Sequence, residues 1–212
     1  MTASQPHKPA AHRPSRRNVI VAAAVTVFAR QGFSDTSIQE VATEAGVAPT
    51  AVYYHFPSKE RVLLEGLQSF SRDYLAEIRR LSRETVDGTW CRTIVVEVLE
   101  WLEVHRLAAT VYFARSSGLD MTIEALRRET RIEQVNVFMR AIRASSAQPL
   151  AASEVGVMAV GLVAVLETAA ACWLTQDAVF RGLGRHRFLA DAADLAERVV
   201  RSDGHVDPAV PS

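Results

Sequence analysis

The side chains best equipped for recognition chemistry in this 212-residue chain sit in one short run, Thr50-Ala51-Val52-Tyr53-Tyr54-His55. The run offers hydroxyls, an imidazole and two aromatic rings, and it contains no acid. Such groups can exchange hydrogen bonds with base edges and phosphates without the repulsion a carboxylate would bring. Catalytic constellations are missing from the sequence. There is no Gly-x-Ser-x-Gly, no His-Glu-x-x-His, no phosphate loop and no dinucleotide fingerprint. Glu103 and His105 are near neighbours, but that spacing turns them apart on a helix. Cys91 and Cys172 lie far apart with no Cys-x-x-Cys, so they read as small hydrophobes rather than as a zinc or redox pair. The expectation is a chain that is not an enzyme and uses no cofactor and no metal.

The stretch 38–59, IQEVATEAGVAPTAVYYHFPSK, supplies the frame for these residues. Ile38, Val41, Ala42 and Ala45 recur at helical spacing on one face. Gly46 follows where a left-handed residue is wanted, and Val47 packs the turn. Pro49 stands at the first position of the next helix, which tolerates proline. Val52 and Phe56, four apart, point inward. Two helices joined by a short Gly-containing turn make a helix-turn-helix, whose second helix enters the DNA major groove. The expected DNA face is Pro49, Thr50, Ala51, Tyr53, Tyr54 and His55, although Tyr53 could instead cap the small core. Lys59 opens the following helix, where a cation opposes the helix dipole. A phosphate partner would account for it, and a plain surface charge is the alternative. Thr36 reads as the cap of the first of the two helices, with Gln39 completing a capping box.

These residues resemble the DNA-binding domain of the Tet-repressor (TetR) family. Ile20, Ala23, Ala24 and Phe28 match its first helix, Gly32-Phe33 its stop, and Thr36-Ser37-Ile38 the start of its second helix. Ala45-Gly46-Val47 match its turn, Tyr53-x-His55-Phe56 its recognition helix, and Pro57 to Glu60 the opening of its fourth helix. Ala48 and Ala51 depart from the pattern, so groove placement carries over but base contacts do not. The resemblance implies an all-α fold: an N-terminal three-helix helix-turn-helix domain followed by a C-terminal helical ligand-binding and dimerisation bundle. It also implies phosphate contacts at Thr36 and Ser37, a small-molecule pocket in the middle helices, and a dimer built from the last two long helices of each subunit.

Charge partition agrees with that division. Formal net charge is zero, but residues 1–61 hold seven Lys or Arg against four acids, and the rest holds seventeen against twenty. A basic end joined to a mildly acidic body suits DNA binding at one end only. The expected boundaries are a disordered basic tail at 1–15, the DNA-binding domain at 16–61, the effector-binding and dimerisation domain at 62–203, and a tail at 204–212. No signal peptide is expected, and the run 155–171, interrupted by Glu167, is expected to be too short to span a bilayer. The protein is expected in the cytoplasm with no membrane partner.

The body reads as helices throughout. A long helix from Ser58 to about Arg83 carries the stripe Leu63, Leu67, Phe70, Tyr74, Ile78 and Leu81. Further helices are expected over 89–105, 107–116, 121–145, 150–176 and 188–201, with Gly182-Leu183-Gly184 as a loop before the last. The candidate effector residues are Phe70, Tyr74, Trp101, His105, Tyr112, Phe113, Arg115, Phe138 and Trp173, any of which could equally be core. The segment 150–176 has too few charges for a wetted helix. Gly156, Ala159, Val163, Leu166 and Ala170, with Leu189, Ala192, Leu195, Ala196 and Val199, form the expected dimer face, the alternative being core within one subunit. The reading is a ligand-responsive repressor that binds a palindromic operator in double-stranded DNA as a homodimer and is released by a small apolar effector. The alternative is a DNA-binding regulator, activating or partner-controlled, without such an effector.

Overall fold

The computed structural model describes residues 15–84 and 89–201. Residues 1–14 and 85–88, and the tail expected at 204–212, lie outside these residues, so most of the tail expected at 1–15 does too. The described residues are helical with no strand. Ser15 Oγ accepts the Asn18 N–H at 3.2 Å and starts α1, Arg16–Gln31. Ile20, Ala24, Val27 and Phe28 form its buried face. Gly32 ends it at φ +88°, a value other residues rarely adopt.

The next helix, α2 (Ile38–Ala45), begins one residue later than the sequence suggested. Ser37 is the cap: its Oγ accepts the Glu40 N–H at 3.2 Å, and the Glu40 carboxylate accepts the Ser37 N–H at 2.8 Å. Thr36 is displaced from that role because its hydroxyl turns back and donates to the Gly32 carbonyl at 2.6 Å. Gly46 closes α2 at φ +65°, as the turn requires. Then comes α3, Pro49–His55, with no side-chain cap at Ala48. The long α4, Lys59–Glu84, buries Leu63, Leu67, Phe70, Tyr74, Ile78 and Leu81 along its length. One continuous apolar core therefore runs from beneath the helix-turn-helix into the body.

The body continues with α5 (Trp90–Val104) and α6 (Arg106–Thr110), and then α7 (Met121–Ser145), α8 (Ala152–Thr175), α9 (Ala178–Leu183) and α10 (Arg185–Val200). Two expectations are corrected here. The single helix expected at 107–116 changes pitch, passing from α6 into a π-helical turn over Val111–Arg115. Widening a turn displaces backbone groups from regular partners. The Tyr112 carbonyl instead accepts from Ser116 Oγ at 3.1 Å and from the Arg127 guanidinium, which also lies over the Tyr112 ring. The expected loop at 182–184 is mostly helix: Asp177 caps α9 through the Phe180 N–H at 2.9 Å, and Gly184 alone, at φ +75°, separates α9 from α10. In the bundle α5 packs on α10, α7 on α8 and α4 on α7. Among the described residues α8 is long and apolar enough to cross a membrane by length and composition. Its Val155, Leu162, Leu166 and Trp173 are buried inside the bundle.

Candidate DNA-binding interface and effector cleft

Val52 and Phe56 are wholly buried and anchor α3 from below. That leaves Tyr54 86% exposed and Tyr53 57% exposed, so Tyr53 does not cap the core. Thr50 is exposed beside them, and Pro49, Ala51 and His55 are half-buried. The His55 ring meets Tyr54 edge-on, with centroids 5.1 Å apart, which orders both rings on one face. The resulting surface is aromatic and polar and carries no carboxylate, the arrangement a groove-entering helix needs.

Three other expected DNA contacts are placed differently. Thr36 is buried with its hydroxyl committed to Gly32, so that side chain offers phosphate nothing. Ser37 is exposed, but its hydroxyl and N–H both serve the Glu40 capping box. Lys59 Nζ donates to the carbonyls of Phe33 and Thr36, both at 2.7 Å, and lies 4.2 Å above the Phe33 ring. Carbonyl oxygens, rather than a phosphate, thus account for a cation at the start of α4.

A residue the sequence reading missed, Arg17, stands behind the recognition helix. Its Nη1 donates to the His55 carbonyl at 2.9 Å, its Nε donates to Glu65 at 2.7 Å, and its guanidinium lies 4.2 Å from the Phe56 ring centroid. Nothing in local spacing announces it, because its partners are 38 and 48 residues away.

The expected effector residues fall into separate groups. Phe70, Tyr74, Trp101, Tyr112 and Phe113 pack ring to ring, with Phe70 5.1 Å from Tyr112 and 5.8 Å from Trp101. His105 extends this cluster by lying 4.0 Å from the Trp101 ring. Phe70, Tyr74, Tyr112 and Phe113 are buried. The Tyr74 hydroxyl accepts from Gln134 Nε2 at 3.0 Å, and burial pushes the phenols of Tyr74 and Tyr112 above their ordinary range. Phe138 is buried on α7 outside those ring contacts. Trp173 belongs to another corner, against Phe180 at 5.2 Å, with its indole N–H donating to Glu103 at 2.9 Å. Arg115 is exposed and borders a surface hollow beside Thr110. These last three therefore do not share a pocket with the cluster. The open space lies at its edge, in a cleft of about 660 Å3 between α1, α4 and the α5–α6 corner, walled by Val21, Val25, Gly66, Phe70, Trp101 and His105.

The residues of the expected dimer face are placed differently as well. Ala159, Val163, Leu166 and Ala170 on α8 and Ala196 on α10 are fully buried within the subunit, which removes them from any outer surface. The helix exposes its other side, with Val157 74% and Val160 56% exposed. Leu195 is 44% exposed, and Gly156, Leu189, Ala192 and Val199 are half-buried. Ala164, Val165, Cys172, Leu183, Ala192 and Leu195 line an apolar groove of about 550 Å3 between α8 and α10. Burial pushes the Cys91 thiol up to about 12 and the Cys172 thiol up to about 11, so neither is a ready nucleophile.

Residues 20–65 match the family model described as bacterial regulatory proteins, tetR family. The HTH-type transcriptional activator FasR of Mycolicibacterium smegmatis is 25% identical over 182 residues, covering 78% of this chain and 75% of FasR. The uncharacterized HTH-type transcriptional regulator TtgW of Pseudomonas putida is 34% identical over 93 residues, covering 44% of this chain and 67% of TtgW. In fold the chain is similar to the transcriptional regulator FadR from Bacillus subtilis in complex with stearoyl-CoA. That match has a TM-score of 0.69 and 16% identity, and it covers 86% of this chain and 97% of FadR. The exposed acid-free helix, the glycine turn that sets it and these likenesses lead to one conclusion: the chain belongs to the tetR family of DNA-binding transcriptional regulators.

Proposed function

We propose that the protein is a ligand-responsive repressor that binds a palindromic operator as a homodimer and leaves it when a small, mostly apolar effector binds. The observation that carries this is the pair of exposed tyrosines on an acid-free α3 anchored by Val52 and Phe56. Residues 16–61 act as the DNA-binding domain and 62–203 as the effector and dimer domain, in a cytoplasmic protein that performs no catalysis. One seven-residue helix reads too few base pairs for useful specificity, so two copies related by a two-fold axis are needed. The outer side of α8 with α10, around Val160, Ala164 and Leu195, supports a dimer contact there, because an apolar face of that kind is normally covered.

The effector reading rests on the cleft. Its walls come from α1 of the DNA-binding domain and from α4, α5 and α6, so an occupant touches both halves of the chain. The α4 helix is one continuous element of 26 residues, so a shift at Phe70 moves its start at Lys59. A ligand acts only through its differential affinity for the two arrangements. Full reversal takes about 5.5 kcal/mol, which burial of roughly 220 Å2 of apolar ligand surface supplies. The stearoyl-CoA in complex with FadR suggests a long apolar chain with a polar head as the first class to screen. A second reading, activation, is favoured by the likeness to the activator FasR. Enrichment of duplexes from a random pool tests the DNA reading, and gel shift with thermal-shift hits tests release. Hits that stabilise the protein but leave DNA affinity unchanged would overturn effector release. Loss of target transcription on deletion of the gene would favour activation over repression.

A further inference from the structure

We infer that Arg17 is a positioning residue for the recognition helix, held in place by Glu65. The inference rests on the DNA-binding role of α3 and extends it to a residue outside the helix-turn-helix. The last carbonyls of a helix lack partners within it. In α3 the final one, His55, is taken by Arg17 Nη1 at 2.9 Å, from the first turn of α1. A cation at a helix C-terminus is also favoured by the helix dipole.

Three contacts fix the guanidinium. Nε and Nη2 both reach the Glu65 carboxylate, giving a forked pair, and the plane lies 4.2 Å from the Phe56 ring centroid. Arg17 therefore joins three elements at one point: α1 through its own backbone, α3 through His55 and α4 through Glu65. The forked geometry is one lysine cannot reproduce. Both partners remain substantially exposed, at 44% and 31% of their side-chain surfaces. Exposed pairs add little to stability, so the value of this one lies in the angle at which α3 presents Tyr54 and His55. Glu65 is also part of the wall of the cleft between α1, α4 and the α5–α6 corner. An occupant of that cleft works beside the anchor of the latch.

The alternative role for an arginine at this edge is a phosphate contact, and Glu65 separates the two. Arg17→Ala, Arg17→Lys, Glu65→Gln and the Arg17→Ala/Glu65→Gln double variant are made in the full chain. Each is titrated against a duplex enriched from a random pool by the unmutated protein and against a scrambled duplex. A positioning role predicts that Arg17→Ala and Glu65→Gln each weaken the enriched duplex about tenfold more than the scrambled one, the scale of one charge-assisted hydrogen bond. The double variant then loses no more than the worse single one, Arg17→Lys is intermediate, and melting temperatures stay close together. A phosphate contact predicts that Arg17→Ala weakens both duplexes equally and lowers the salt slope by about one. Glu65→Gln, which removes a negative charge, then leaves binding unchanged or tighter. That pattern, or no change in any variant, overturns the inference. Failure of the unmutated protein to enrich any duplex overturns the DNA-binding reading itself, and the inference with it.

Discussion

The Lys59 ammonium lies 4.2 Å above the Phe33 ring and 2.7 Å from the Phe33 carbonyl oxygen, bracing the start of α4 against the loop that leaves α1. With its second bond, to the Thr36 carbonyl, it holds the turn that sets α2. Lys59→Ala leaves two part-buried carbonyls without this donor. The expected cost is about 1–3 kcal/mol of stability, read by thermal melting. The salt slope of DNA binding should change by well under one, because an ammonium committed to two carbonyls neutralises no phosphate. A fall of about one with unchanged melting would return Lys59 to the phosphate-contacting set.

The α2 capping box makes a pH prediction. The Gln31 side-chain amide, then the Ser37 N–H and hydroxyl, hold the Glu40 carboxyl down at about 2, against an ordinary value of 4.5. A folded value below the unfolded one means the contribution is full above pH 4.5 and is lost as pH falls through about 2. Glu40→Gln should therefore flatten the dependence of melting temperature on pH between these values. A curve parallel to that of the unmutated protein would contradict the assignment.

Two glycines on α8 separate packing from propensity. An added Cβ at Gly161 would meet Val199 Cγ1 at 2.7 Å, while at Gly156 it meets nothing within 4 Å. Val199 is stiff at χ1 and cannot yield cheaply. Gly161→Ala should destabilise by about 1–3 kcal/mol through overpacking. Gly156→Ala should gain up to about 1 kcal/mol of helix propensity. Denaturant titration ranks the two, and equal effects would contradict this placement of α10 on α8.

The dimer proposal is tested on the exposed side of α8. Val160→Arg with Leu195→Arg should leave a folded monomer by light scattering, because both side chains already reach solvent. Ala159→Arg should instead unfold the chain, since it forces a charge into the core. A folded, dimeric Val160→Arg/Leu195→Arg variant would place the interface elsewhere.

The helices were legible because their signals are local. Val52 and Phe56 share a face by spacing alone, Gly46 marks a left-handed turn, and the stripe from Leu63 to Leu81 repeats at helical period. The exposure of Tyr53 and Tyr54 followed, since burying Val52 and Phe56 turns them outward. What stayed hidden depends on contacts distant in sequence. Arg17 finds Glu65 and His55 only when α1 folds across α4. Lys59 looked like a free cation because the carbonyls of Phe33 and Thr36 carry no sequence signature. On α8 nearly every side chain is apolar, so periodicity could not distinguish the inner face of Ala159 and Val163 from the outer face of Val157 and Val160. Aromatic content likewise marked Phe70, Tyr74 and Tyr112 without telling filled core from open space.

The central claim is that Tyr54 and His55 on α3 read DNA. The measurement is the affinity of Tyr54→Ala/His55→Ala for a duplex enriched by the unmutated protein, with circular dichroism melting alongside. Tyr54 is almost wholly exposed, so melting should be nearly unchanged. Affinity for the enriched duplex should fall about 10- to 100-fold, as loss of base contacts in a groove implies. Unchanged affinity in the folded double variant would contradict the account.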